Sequence, residues 1–118
     1  MKRIASILIA LLVTISSCNS QSCNDLPTKF NSYQQANKEL KSANFTIEES
    51  IDTSKSTFIE GANYYSCDGE TGFLLIEIKN TEYIHQNVPI TLWRNFKQAD
   101  SYGRFYDRNI KGRYLFNL

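Results

Sequence analysis

The spacing of apolar and polar positions divides the chain into regions of helical and of strand-like period. Between Phe30 and Ala43 apolar residues recur every three or four positions, which is the period of one helix face. From Thr57 onward the period changes to two, as expected for strands. Three runs have this shorter period, at residues 57–66, 73–79 and 82–88.

Short polar turns join the three runs. An Asp-Gly pair at 68–69 separates the first two, and an Asn-Thr pair at 80–81 separates the last two, so the pattern predicts an antiparallel meander. Pro89 suits the first turn of a second helix, and Gly103 is placed to end it. We therefore predict an α+β fold with an N-terminal helix, a three-stranded meander, a second helix and a short C-terminal strand or turn.

The first residues are typical of a targeting segment. Two bases follow Met1, and the next twelve residues, 4–15, are nearly all apolar. This predicts a signal peptide over 1–17, because the run is shorter than the ~20 residues of a membrane span. The box at 15–18, Ile-Ser-Ser-Cys, resembles a bacterial lipobox, in which the cysteine becomes the first mature residue and carries lipid.

These features predict a cell-envelope protein outside the cytoplasm, attached to the membrane through lipid on Cys18. Residues 18–28 would form the lipidated tether and residues 29–118 a single domain. The alternatives are ordinary cleavage, which gives a soluble secreted protein, and a retained N-terminal anchor. Without residues 1–17 the chain has eleven bases and twelve acids, so no global positive field remains to attract nucleic acid.

The cysteines agree with export. If Cys18 carries lipid, Cys23 and Cys67 remain, and an oxidising compartment lets them pair in a disulfide. The alternatives are an inert free thiol and a thiol-dependent enzyme in which His85 assists Cys67.

Other chemistry finds little support in the pattern. The single histidine cannot supply a usual zinc set, and there is no Gly-rich phosphate loop. The acidic pair at 48–49 falls in a predicted polar loop, where we expect it to be solvated. We therefore expect no catalytic residue, metal or cofactor.

Charge and aromatic residues concentrate at the C-terminal end. Residues 91–118 hold six bases, two acids and seven of the fifteen aromatic residues. Basic residues interleaved with aromatic residues suit a polyanion groove, because the positive charges hold phosphate and the rings stack on nucleobases. The alternative, which we favour, is that the rings fill the core and the bases are solvated. Anionic lipid headgroups or surface glycans would suit the same patch.

The chain from Ser56 to Tyr114, about half of its length, resembles the KTSC domain family. The matching positions are Ile59, Tyr64, Tyr83, Val88-Pro89, Phe96, Ala99, Ser101-x-Gly103, Phe105-Tyr106 and Ile110-Lys111-Gly112-x-Tyr114, with the apolar second strand. The family's central Tyr-x-Tyr motif stands here as Tyr83-Ile84-His85, so a histidine replaces the second ring and weakens two-ring stacking.

The resemblance leaves the activity open. The family includes a small domain at the C-terminus of some lysyl-tRNA synthetases, and its function is unknown. That context implies RNA binding, but an exported protein would not normally meet cytoplasmic RNA. Fold-level analogy alone does not give function.

We predict a non-catalytic binding or interaction module for an unknown protein or polyanionic ligand. Nucleic-acid or other polyanion binding through the C-terminal region is the first alternative, although nucleic acid is disfavoured, and the thiol-dependent enzyme is the second. The candidate binding residues are Tyr83, His85, Arg104, Tyr106, Arg108, Lys111 and Arg113.

Overall fold

The structure is a computed structural model that describes residues 21–116. The predicted signal peptide and the lipidation site at Cys18 lie outside the described residues. Within the part of the chain that is described, none of the helices has the length and apolar character that a membrane span requires.

The described chain is α+β, as predicted. In chain order its elements are β1 (Gln21–Ser22), a 3₁₀ turn (Cys23–Asp25), α1 (Tyr33–Ser42), β2 (Ala43–Asn44), β3 (Ile47–Ser50), β4 (Gly61–Ser66), β5 (Thr71–Ile78), β6 (Thr81–Pro89), α2 (Ile90–Lys97) and α3 (Tyr102–Asn109). Strands β1 and β2 form a small parallel pair, and β3 to β6 form an antiparallel sheet in that order.

Helix α1 lies inside the predicted helical region, although β1 precedes it in the chain. The Ser32 hydroxyl accepts a hydrogen bond from the Gln35 backbone N–H at 3.1 Å, which caps the first turn. Ala36 and Leu40 are fully buried on the face that the apolar spacing predicts.

The main sheet has one strand more than predicted. Strands β4, β5 and β6 correspond to the three predicted runs, and a two-residue turn at Lys79-Asn80, both with positive φ, joins the last two. The expectation of a polar loop at residues 48–49 is wrong, because β3 pairs Glu48 with Tyr65 along the sheet edge. An edge strand with mostly exposed side chains lacks an apolar period, which explains the error.

The C-terminal element is a helix, and the predicted strand or turn is wrong. Gly103 does not end a helix but lies in the first turn of α3, and the Ser101 hydroxyl caps that turn by accepting from the Arg104 N–H at 3.3 Å. Gly103 packs against the Phe58 ring. A glycine at a helix start and one at a helix end give the same sequence signal, so the pattern misplaced this boundary.

The main sheet lies between two helical layers. One face packs against α1 around Phe30, Leu40 and Leu75. The other face packs against α2 and α3 around Leu74, Trp93, Phe96 and further residues of one apolar cluster. The continuous apolar run in β5 is thereby explained, because successive residues enter opposite cores.

A β-bulge in β6 decides which way its side chains point. Gln86 and Asn87 together oppose Phe73 of β5, and Asn87 has a φ of 61°. Because the extra residue resets the alternation, His85 and Val88 both lie on the face that packs against α2 and α3.

The predicted pairing of Cys23 with Cys67 is confirmed. Their sulfur atoms lie at bonding distance, with the Cα atoms 5.8 Å apart and a sequence separation of 44. The disulfide joins the 3₁₀ turn to the loop between β4 and β5. In the segment predicted as a tether, Gln21–Ser22 pairs with β2, and Leu26 packs on the α1 side of the sheet.

Candidate binding groove

One groove of about 300 Å³ gathers aromatic side chains from distant parts of the chain. We call it the aromatic groove. It opens where the β5–β6 hairpin meets the start of α1, the loop before β4 and the segment after α3. Its lining residues are Tyr33, Phe58, Ile78, Tyr83, His85, Tyr106, Lys111, Gly112 and Leu115.

The exposed apolar surface of the described chain is concentrated in this groove. The large hydrophobic side chains that remain exposed are Tyr33 at 42%, Phe58 at 38%, Tyr83 at 41% and Leu115 at 72%. All four line the aromatic groove. Single exposed apolar side chains are ordinary, but a cluster of them on one concave surface is typical of a binding site.

The floor of the groove is a hydrogen-bonded pair, His85 and Tyr106. The His85 Nδ1 atom lies 3.1 Å from the Leu74 carbonyl oxygen, which can only accept, so Nδ1 carries the proton. In the neutral ring Nε2 is then an acceptor, and the Tyr106 hydroxyl donates to it at 3.1 Å. The hydroxyl proton of Tyr106 is thus engaged, while its oxygen keeps lone pairs for another donor.

Both floor residues are uncharged at neutral pH. Burial lowers the pKa of His85, against a smaller opposing effect of its hydrogen bond with the Leu74 backbone. Burial, with smaller contributions from the neighbouring Tyr83 and Asp107, raises the pKa of Tyr106 to about 12. The floor therefore offers polar but neutral groups beneath apolar walls.

A single charged side chain, Lys111, lines the groove, and none of its lining residues is acidic. Lys111 lies just past the end of α3 and is exposed. Lys111 therefore supplies the one formal charge among the lining residues, although Asp107 lies near Tyr106 without lining the groove.

The structure brings together four of the seven predicted binding residues, Tyr83, His85, Tyr106 and Lys111. Arg104 and Arg108 are exposed and line a separate groove with Asp100 and Phe105. Arg113 is exposed and lines neither groove. The predicted surface is thus divided, because Tyr106 faces the sheet while the α3 bases two residues before and after it face away.

Sequence reasoning missed Tyr33, Phe58 and Leu115. The apolar spacing predicts that Tyr33 lies on the buried face of a helix and that Phe58 lies in a strand. Neither prediction indicates that the ring is partly exposed. Only the tertiary fold brings α1, the loop before β4 and the C-terminal segment to one place. Leu115 stands between Tyr114 and Phe116, so its sequence neighbours give no local sign that it is exposed.

The C-terminal aromatic residues mostly belong to the core. Trp93 and Phe96 are fully buried, and Trp93 stacks on Tyr64 with ring centroids 5.2 Å apart. The indole N–H of Trp93 donates to Glu49 at 2.7 Å. Because these two rings are buried, they cannot stack on nucleobases, as the aromatic rings of a single-strand binding groove do.

A thiol-dependent enzyme would need a free cysteine, and residues 21–116 contain none. Cys67 is bonded to Cys23, and the groove that it lines does not include His85. His85 is engaged with Leu74 and Tyr106 instead. Among residues 21–116 there is no cluster of three or more His, Cys, Asp or Glu side chains that could hold a metal ion.

Together these features define a small α+β domain in which an antiparallel sheet lies between helices and an aromatic groove opens at one end. The family model of the KTSC domain matches residues 55–114, just over half of the chain. The chain belongs to the KTSC domain family. Comparison with curated proteins and with solved structures gives no significant match.

The family region and the groove overlap incompletely. The match runs from the loop before β4 to the residues after α3, and so includes Phe58, Tyr83 and Lys111. Tyr33 and Leu115 lie outside it. The walls of the groove are thus completed by residues that flank the family domain.

Proposed function

We propose that this chain is an exported, lipid-anchored binding protein that holds a ligand in the aromatic groove without chemical turnover. The observation that carries the proposal is the concentration of all exposed large hydrophobic side chains of the described residues in that one groove. Exposed apolar side chains that cluster in one groove are typical of a surface that contacts a ligand.

The residues of the groove support binding rather than catalysis. A general base must reach a proton of the substrate, but the basic nitrogen of His85 already accepts the Tyr106 hydroxyl. No lining residue is a cysteine, serine or carboxylate. The groove therefore offers shape, apolar contact and one positive charge.

The proposed location depends on the first residues of the chain and on the disulfide. A basic start, the apolar run at 4–15 and small residues before Cys18 support export with lipidation. The Cys23–Cys67 disulfide agrees with an oxidising compartment. Intact mass of the protein purified from its native membrane tests this: we expect a chain that begins at Cys18 and carries lipid, and a full-length unlipidated chain would contradict it.

Binding in the groove is tested with the fluorescent probe 1-anilinonaphthalene-8-sulfonate, which combines aromatic rings with a negative charge. We expect its fluorescence to rise with wild-type protein and the increase to be lost with Tyr83→Ala, because Tyr83 is a wall of the groove. Tyr83→Phe keeps the ring and should keep most of the signal.

Thr81→Ala is the matched control, since Thr81 is exposed on the same strand but does not line the groove. Thermal unfolding followed by circular dichroism shows that each variant is folded. Equal probe fluorescence for wild type and for Tyr83→Ala would contradict the proposal.

A further inference from the structure

We propose that the ligand of the aromatic groove is a pyranose sugar that carries a carboxylate, such as a uronic acid residue. This inference rests on the proposed function, because it names the ligand class of the same groove. Three properties of the groove support it: amphipathic aromatic walls, an acceptor at the floor and a single ammonium group at the edge.

The walls suit a ring with one apolar face. Tyr33, Phe58 and Tyr83 present partly exposed rings from different elements, and a tyrosine combines an apolar face with a polar end. A pyranose has the same division, since its C–H groups form an apolar face and its hydroxyls lie around the edge. The sugar can therefore pack its face on a ring and still direct hydroxyls to polar groups.

The floor selects for a hydrogen-bond donor. Tyr106 already gives its proton to His85, so its oxygen can only accept from a ligand. A sugar hydroxyl supplies that proton, whereas a hydrocarbon ring would displace water from Tyr106 and leave its oxygen without a donor. A site built in this way rejects an analogue that lacks the hydroxyl.

The edge selects for negative charge. Lys111 is the sole charged lining residue, and no carboxylate of the groove neutralises it. A carboxylate on the sugar would pair with the Lys111 ammonium group. Neutral sugars would lose this contact, and acidic ligands without hydroxyls would lose the contact at the floor.

The test is a titration of the isotope-labelled protein, followed by amide shifts in ¹H–¹⁵N NMR spectra. The three probes are sodium D-glucuronate, D-glucose and sodium cyclohexanecarboxylate, which separate the hydroxyl and carboxylate requirements. We expect glucuronate to shift amides around Tyr83 and Lys111 and to bind roughly threefold to tenfold more tightly than either analogue, which is the usual scale for one hydrogen bond or exposed charge contact.

Two variants assign the preference to its residues. Lys111→Gln should remove the preference for glucuronate over glucose, while Lys38→Gln, a change of an exposed lysine on α1, should leave it intact. Tyr106→Phe should remove the preference for glucuronate over cyclohexanecarboxylate. If Tyr106→Phe does not fold, the Lys111 comparison and the three probes on wild type still decide the question.

The outcomes separate this inference from the proposed function. If cyclohexanecarboxylate binds in the groove as tightly as glucuronate, or if none of the three binds while the fluorescent probe does, the sugar assignment is overturned and the binding groove stands. Equal affinities for glucose and glucuronate overturn the requirement for a carboxylate. If neither the sugars nor the fluorescent probe binds, the proposed function fails as well.

Discussion

The two faces of the main sheet are covered in different ways. On the α1 side the contacts of Leu40, Leu75 and Ile84 are apolar, and the preceding segment is fixed to the sheet by the disulfide. On the side of α2 and α3, buried groups make directed hydrogen bonds, such as Tyr64 to the Val88 carbonyl at 2.7 Å and Tyr106 to His85.

The difference indicates that the α1 layer and the layer of α2 and α3 have different roles. Apolar contact stabilises without fixing orientation, whereas hydrogen bonds hold ring atoms in defined positions. The side with directed bonds is also the side that opens into the aromatic groove, and the family match includes α2 and α3 but not α1. We infer that the α1 side chiefly supplies stability and the other side chiefly supplies the site.

The largest expected effect on this comparison comes from removing the disulfide. In the chain-entropy model, a crosslink across 44 residues stabilises by roughly 4 kcal/mol, so Cys23→Ser with Cys67→Ser should lower the free energy of unfolding by about that amount. Urea denaturation measures the change. The fluorescent probe should still bind, because the disulfide is not part of the groove, and loss of binding in a folded variant would contradict the division.

The next effect tests whether the two cores act independently. Leu40 and Ile110 are both fully buried, one in each core, and replacing either with alanine should cost about 2–5 kcal/mol. Because the sheet separates them, the double variant should lose the sum of the two values within about 0.5 kcal/mol. A larger discrepancy in urea denaturation would show that the layers are coupled.

A third prediction concerns pH and is specific to the side of α2 and α3. Burial lowers the pKa of His85 from its ordinary value of 6.5, so below that pH the unfolded chain takes up a proton that the folded protein does not. Stability should therefore fall as pH decreases from about 6.5 to the folded-state pKa, with a slope of at most ~1.4 kcal/mol per pH unit, and then level off.

His85→Gln should remove this dependence, and free energies of unfolding at pH 7.5, 6.5 and 5.5 measure it. Asp68 and Glu49 also have lowered pKa values, but their ordinary values of 3.8 and 4.5 place their contribution below this window. An equal slope in wild type and variant would contradict the assignment of a neutral, buried histidine.

The smallest expected effect is at the sheet edge. The Lys97 ammonium group donates to Glu49 at 2.8 Å, and this contact, with the Trp93 indole N–H, lowers the pKa of Glu49. Both charged side chains are substantially exposed, so Glu49→Gln should cost less than about 1 kcal/mol. The cost should decrease further at high salt in thermal unfolding, and a salt-independent loss would point to the Trp93 hydrogen bond instead.

The hydrophobic pattern predicted the buried strands and helix α1, but it missed the edge strand β3 and helix α3. Strands β4, β5 and β6 carry apolar residues at a period of two, and α1 carries them at a helical period, because burial imposes these spacings. Strand β3 buries too little to impose one. Helix α3 was missed because Gly103 was interpreted as a helix end, although Ser101 two residues earlier is a good N-cap.

The aromatic groove could be predicted only in part for a related reason. Tyr83, His85 and Lys111 stand within the family pattern, so local sequence identified them. Phe58 and Leu115 join them only through packing of distant segments, and no local rule specifies which partly exposed rings will meet. The alternation in β6 gives His85 the face opposite to Ile84, but the inward direction of Val88 depends on the β-bulge at Asn87, which the alternation does not reveal.

The disulfide has a mechanical consequence for a protein held by its N-terminal end. Tension applied ahead of Cys23 passes through a covalent bond to Cys67 and enters the sheet at the turn between β4 and β5. The force reaches the central strands directly, and α1, which lies within the closed loop, can be bypassed. If the chain is held at Cys18 and binds a ligand in the groove, as we propose, a pull between the two would load the main sheet through this bond.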